Sequence, residues 1–176
     1  MRLLLHICCA PCSIVPVAEL RSAGTAVTGF FYRHNIHPFS ECRRRQDTLQ
    51  DYAGRIGIEM IWQPGYDLEG FIRSLVYHED ERCLICYRLR LEATAVLARQ
   101  GNFDAFSTTL LYSRYQKHDP IREIGESVGR TLGVPFHYRD FRAGWRQGVD
   151  ESRRIGLYRQ KYCGCIYSEK ERFFRE

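Results

Sequence analysis

The residues with the most chemistry to offer are cysteines. Three thiols fall within five positions, Cys8, Cys9 and Cys12, directly after the apolar run RLLLHI. Two further clusters follow, Cys83-x-x-Cys86 and Cys163-Gly-Cys165, while Cys42 stands alone. Eight cysteines in 176 residues admit disulfides, metal ligation or a reactive thiol. The N-terminal run LLLHICCA is short and carries a histidine, so it does not read as a signal peptide. No stretch approaches the roughly 20 apolar residues of a membrane helix. A cytoplasmic location is therefore expected, and there structural disulfides are rare. Metal binding or redox chemistry becomes the leading explanation. A lone free cysteine is usually a small buried apolar residue, which is the reading for Cys42 on its helical stripe. Three clusters in one small domain do not reduce to packing.

Zinc and iron–sulfur centres both use thiolates. A structural zinc site closes at four ligands, and seven clustered thiols exceed that. Their number suits an iron–sulfur cluster plus something else. The adjacent pair Cys8-Cys9 can serve one cavity if the chain turns at Cys9, and Ala10-Pro11 would help to end a strand there. In Cys163-Gly164-Cys165 a single glycine gives an adjustable pair, suited to a reversible disulfide or a second metal. Arg159 and Lys161 flank it, and nearby positive charge lowers a thiol pKa.

These residues need a scaffold, and the hydrophobic pattern supplies one. RLLLHIC reads as a strand buried on both faces. Ser13 is the expected cap of the next helix, with Pro16 in its first turn. AVTGFFY and IEMIWQ read as strands, separated by a helix whose stripe is Cys42, Leu49, Ala53 and Ile56, ended by Gly57. Asp67 opens a helix with Leu68, Phe71, Ile72 and Leu75 on one face. Residues 82–100 form the longest helical pattern, with an expected inner face of Cys86, Leu89, Ala93, Val96 and Leu97. FDAFSTTLL reads as a fourth strand and PFHYRDF as a fifth. Between them Asp119-Pro120 predicts a capped helix start, with Ile121, Ile124, Val128 and Leu132 as its stripe.

Strand and helix alternate throughout. The expectation is one α/β domain over residues 1–176, an open, mostly parallel sheet with helices on both faces, Rossmann-like in layout. In such sheets ligands sit beyond the carboxyl ends of the strands. Cys8 and Cys9 fall at that end of the first strand, and Ser107, Thr108 and Thr109 near that end of the fourth. Cys83 and Cys86 share the first turn of their helix, where the dipole favours thiolate.

Charge adds a partner. The net charge is +5. Between residues 139 and 161 stand Arg139, Arg142, Arg146, Arg153, Arg154, Arg159 and Lys161, against Asp140, Asp150 and Glu151. Phe141, Trp145 and Tyr158 are interleaved with them, and Arg43-Arg44-Arg45 forms a second basic patch. Basic residues meet phosphate and aromatics stack on unpaired bases, so RNA is a candidate partner. A solvated face over core aromatics explains the same pattern.

HICCAPCS, ERCLICYRLRLEATA, FSTTLLYSRYQKHDPIREIG, YRDFRAGWRQG and GLYRQKYCGCIYS together resemble the epoxyqueuosine reductases of the QueH type, in order over nearly the whole chain. The resemblance implies a cytosolic enzyme that removes the epoxide oxygen of epoxyqueuosine at the wobble position of a tRNA anticodon loop, giving queuosine. It implies a [4Fe-4S] cluster held at Cys8, Cys9, Cys83 and Cys86, a redox pair at Cys163 and Cys165, and a further mononuclear iron beside the cluster. It relates the layout to adenine-nucleotide alpha-hydrolase-like folds. One departure is Arg33-His34-Asn35-Ile36, where the family usually reads Asn-Pro-Asn-Ile.

The chemistry agrees, because deoxygenating an epoxide needs two electrons and protons, which side chains other than a dithiol do not supply. An electron donor is thus implied, of a kind the sequence does not specify, and no obligate protein partner is evident. Cys12, Asp119 and Asp140 join the cysteine pair as candidate catalytic groups, with His118 another candidate proton donor. Arg43, Arg44, Arg146, Arg153, Arg154, Arg159 and Lys161 are the candidate RNA contacts. Two rival classes are a zinc-stabilised RNA-binding module without catalysis and an ATP-using tRNA-thiolating enzyme. The latter needs a glycine-rich phosphate loop after the first strand, where this chain has CCAPCS.

Overall fold

A computed structural model of the chain describes residues 1–174. Four parallel strands form one sheet: β1 (Arg2–His6), β2 (Ala26–Phe31), β3 (Met60–Trp62) and β4 (Ala105–Thr108). Their order is β3-β2-β1-β4. β1 is central, and Leu3, Leu4 and Leu5 are wholly buried, as its unbroken apolar run requires.

Helices α1 (Ala10–Ser22) and α2 (Phe39–Ile56) carry the crossovers from β1 to β2 and from β2 to β3. α3 (Leu68–Leu75) and α4 (Arg82–Gln100) return the chain past β1 to β4, followed by α5 (His118–Leu132). Parallel crossovers are right-handed, so a reversal in the order of strand addition puts the two helix sets on opposite faces. The packing agrees: α1 lies against α2 and α6 (Trp145–Arg154), and α4 against α5 and α3. A short α7 (Ile166–Phe173) closes the described chain.

Several local expectations are corrected. Cys9, in extended backbone, stands at the N-cap of α1; Ser13 lies within the first turn and donates its hydroxyl to the Ala10 carbonyl, and Pro16 sits inside the helix. α5 begins at His118 with Lys117 at its N-cap, so Asp119 is a first-turn acid rather than the cap. Asp67 does cap α3, accepting from the Gly70 amide. The buried face of α4 is Tyr87, Arg90, Leu91, Thr94, Ala95 and Ala98, and Val96 is exposed. The pattern was two-sided, and contact with both β1 and β4 selected the face carrying a charge.

The fifth strand is absent. Residues 135–141 make one parallel bridge, Phe106 with Phe136. β4 itself stops at Thr108 and turns into a 3-10 segment at Thr109–Tyr112, leaving nothing further to pair with. The bridge is still close-packed. A Cβ on Gly129 of α5 would stand 2.8 Å from the Val134 carbonyl oxygen and 3.1 Å from the Phe136 nitrogen. Those are backbone atoms and cannot swing away. Gly129→Ala should therefore destabilise the protein by about 1–3 kcal/mol, read as a lower urea midpoint at unchanged m-value.

Candidate functional site

Strand order reverses at β1, because β2 lies on one side and β4 on the other. Loops leaving β1 and β4 therefore part toward opposite faces and leave a crevice at their carboxyl ends. The site is built there. The chain turns at Cys9, and the sulfurs of Cys8, Cys9 and Cys12 all lie within 4.8 Å of one another, suited to holding a metal ion. Helical spacing places Cys12 one turn beyond the Cys8-Cys9 corner. Just past β4, Thr109 Oγ1 accepts from the Cys8 amide at 3.3 Å and lies 3.6 Å from its sulfur.

Below the sulfurs runs a buried polar chain. His6 pairs with Thr108 across the sheet, and its Nδ1 lies 2.8 Å from Thr108 Oγ1. Arg90 of α4 donates from Nη1 to His6 Nε2 at 3.1 Å. An arginine only donates, so Nε2 is the acceptor and Nδ1 carries the proton. Burial, with Arg90 second, lowers the His6 pKa to about 3 and keeps the ring neutral. Hydrogen bonds from Cys12 and Cys9 hold the Cys8 thiol well below its usual range, with Arg90 and His6 adding to the effect. Cys9 is pushed up by burial and Cys12 by its contacts with Cys8 and Cys9, so the negative charge of the trio centres on Cys8.

A cavity of about 650 Å³ opens over this floor. Cys8, Cys12, Cys86 and Cys163 line it, with Arg90 among them, so three distant cysteine clusters converge as the topology required. Amide donors orient the sulfurs: Asn35 Nδ2 to Cys86 at 3.0 Å, Gln160 Nε2 to Cys9 at 2.9 Å, and Gln116 Nε2 to Cys163 at 3.3 Å. Tyr115, 84% exposed, stands at the cavity with its ring edge-on to Trp145 at 5.5 Å, and Tyr112 lies under Trp145. Arg159, Lys161 and Arg172 complete a basic wall.

The remaining expectations divide. Cys83 is half-buried in the first turn of α4 and does not line the cavity, and burial raises its pKa against the expected dipole effect. Cys163 and Cys165 are free thiols. Burial of its sulfur, with the charge of Cys86 next, pushes Cys163 up to about 11, opposite to the lowering expected from Arg159 and Lys161. The residue has exposed surface, but its sulfur faces inward to Gln116. Asp140 lies in the fork of Arg142, which holds its carboxyl down to about 2. His118 contacts Tyr138, and neither it, Asp119 nor Asp140 lines the cavity. Arg43 pairs with Asp47, Arg153 with Asp150 and Arg154 with Glu151, while Arg44 stacks on Tyr158. Arg146 lies on α6. Cys42 is wholly buried on its stripe, as expected.

Arg45 does not belong to the basic patch. It is buried, bonded to Glu41 at 2.7 Å, and donates to the carbonyls of Cys163 at 2.7 Å and Tyr162 at 3.0 Å. His37 adds a bond from its amide to the Gly164 carbonyl, and its Nδ1 accepts from the Ile166 amide. The cysteine pair is thus tied by its backbone to α2 and the loop before it. Only the three consecutive arginines hinted at this, and the stripe through Cys42 and Leu49 puts Arg45 on the buried side.

Comparison with known proteins bears on the whole chain. The family model described as epoxyqueuosine reductase QueH matches residues 3–171. The chain belongs to that family. A relative named epoxyqueuosine reductase QueH from Dehalococcoides mccartyi is 36% identical over 98% of this chain and 94% of its own length. Another of that name from Thermotoga maritima is 33% identical over 96% and 91%. Among solved structures, a protein described as a predicted subunit of tRNA methyltransferase from Methanocaldococcus jannaschii aligns with a TM-score of 0.59 over 87% of this chain and 76% of that one. At 12% identity it speaks to the fold alone. No helix among the described residues is long and apolar enough to cross a membrane.

Replacing Arg45 by methionine should leave Glu41 uncompensated and free the 162–166 backbone. The expected result is a loss of about 3–5 kcal/mol, with faster amide exchange at His37 and Ile166, and only partial recovery in Arg45→Lys, which keeps the charge but not the fork.

Proposed function

We propose that this chain is an epoxyqueuosine reductase acting on the wobble nucleoside of tRNA. The observation that carries this reading is the trio of buried sulfurs at the strand-order reversal, under a cavity with a basic and aromatic wall, in a chain matched by the family over residues 3–171. The reaction takes one oxygen from an epoxide, adding two electrons and two protons and releasing water. The soft donor set fits an iron–sulfur cluster, and we assign its ligands as Cys8, Cys9, Cys83 and Cys86, with a further iron beside it. Such a cluster, when bound, supplies electrons one at a time.

The chain's own residues do the rest. The amides of Asn35, Gln160 and Gln116 orient the sulfurs, and outer contacts of this kind hold a thiolate centre in its geometry. Tyr115 and Trp145 offer a stacking surface to an unpaired base, and Arg159 and Lys161 meet its flanking phosphates. Cys163 and Cys165 serve as the dithiol. Closing their disulfide releases two electrons and two protons, the amount one turnover consumes. Cys12, at the cavity wall, is the remaining candidate catalytic thiol near the substrate. Arg153 and Arg154, already paired on α6, are the weaker RNA contacts.

Anaerobic iron and sulfide analysis tests this reading. Iron with acid-labile sulfide supports it, and zinc without sulfide would favour the rival binding module. Cys83→Ser should bleach the visible absorption and abolish activity; full iron loading in that variant would remove Cys83 from the ligand set. Cys163→Ser and Cys165→Ser should keep the cluster and stop multiple turnovers.

Replacing Arg159 and Lys161 together by alanine should flatten the salt dependence of tRNA binding by about 0.7–0.9 per lost phosphate contact. The Arg153 and Arg154 double variant should change it less. An unchanged slope in the first variant would move the RNA away from this wall.

A further inference from the structure

Arg90 is a buried cation with no carboxylate partner among the described residues. It is 2% exposed, its Nε has no hydrogen-bond partner, and its Nη1 bonds a neutral histidine. Among the described residues no carboxylate lies within salt-bridge distance of it. The other deeply buried arginine, Arg45, has Glu41 at 2.7 Å. Guanidinium does not shed its proton in a protein, so Arg90 cannot escape burial by becoming neutral. An uncompensated buried charge costs several kcal/mol, and native proteins pair such charges. The fold therefore calls for an anion beside Arg90.

The surroundings narrow what that anion is. Arg90 follows Cys86 by one turn of α4 and lines the cavity with Cys8, Cys86 and Cys163. Glu171 also reaches the cavity wall, but its carboxylate is paired with Arg82. Thr108 and His6 brace the guanidinium from beneath, on the sheet side.

We propose that Arg90 is the counter-charge of the thiolate-bound metal centre, aimed at it by the Thr108–His6 pair. The assignment rests on reading the site as a metal–thiolate centre. It makes Arg90 a positioning and electrostatic residue rather than one that touches substrate. A fixed cation stabilises the more negative, reduced state of a centre more than the oxidised state. It therefore raises the reduction potential and strengthens retention of the metal.

The test compares wild type, Arg90→Met and Arg90→Lys, each reconstituted anaerobically with iron and sulfide. Three quantities are read: midpoint potential, iron retention against a competing chelator, and urea stability of the metal-free full chain. Arg90→Met should shift the potential to more negative values and weaken iron retention about 10- to 100-fold, the usual effect of losing an outer-shell partner. Its metal-free form should be no less stable than wild type, since a buried guanidinium with no carboxylate partner has been removed. Arg90→Lys should recover most of the potential shift. Equal potential and retention in wild type and Arg90→Met would overturn the assignment while leaving the metal centre standing. A metal-free Arg90→Met that unfolds well below wild type would make Arg90 a structural residue and overturn it too. A wild type that takes up no metal would remove the reading of the site, and the counter-charge with it.

Discussion

The reversal of strand order at β1 is the constraint on which the rest of this molecule depends. Because α1 folds down one face of the sheet and α4 runs along the other, the loops after β1 and β4 separate. The gap between them has no backbone to fill it, so side chains set its character. β1 delivers Cys8 and Cys9 to the edge and α1 delivers Cys12 one turn on. The end of β4 delivers Thr108 and, one residue on, Thr109, which hold His6 of β1 and Cys8 just beyond it. A different strand order would place the same residues at unrelated points.

Burial then decides what those groups can be. Three sulfurs packed within one small group cannot all ionise, so the charge gathers on Cys8 and leaves its neighbours protonated. A metal relieves that competition, since it lets several sulfurs ionise at once. The same burial keeps His6 neutral and leaves Arg90 charged, because imidazole can lose its proton and guanidinium cannot. The floor of the cavity is thus a cation facing sulfur, arranged before any metal arrives.

The far side of the cavity is closed by a segment with little structure of its own. Residues 155–165 contain no helix or strand and are held by side chains from α2 and the loop before it. The sulfurs themselves have only weak partners, Cys163 the Gln116 amide at 3.3 Å and Cys165 the Ser168 hydroxyl at 3.6 Å. Asn35, in the same loop as His37, reaches Cys86 with its amide. In that loop the Arg33 carbonyl accepts from the Cys42 thiol at 3.7 Å, while Asn35 turns its amide to Cys86 at 3.0 Å.

Much of this was legible in the chain. Four strands, the alternation with helices and the ends of α2 and α4 at glycine follow from periodicity and local backbone preference, which depend on neighbours in sequence. The cysteine clusters followed from spacing, and the family from five matched segments. Beyond the helix caps, three tertiary features were not legible, for one reason: each depends on a group far away in sequence. The fifth strand failed because β4 ended early and offered no partner. The inner face of α4 turned toward Arg90 because β1 and β4 chose between two apolar stripes and His6 supplied an acceptor. Arg45 looked like surface charge until the carbonyls of Tyr162 and Cys163, more than a hundred residues away, gave it partners. By itself, the sequence determined the elements and the chemical types at their ends. Tertiary structure alone decided which charges are buried, because burial is set by what packs on a residue and not by the residue itself.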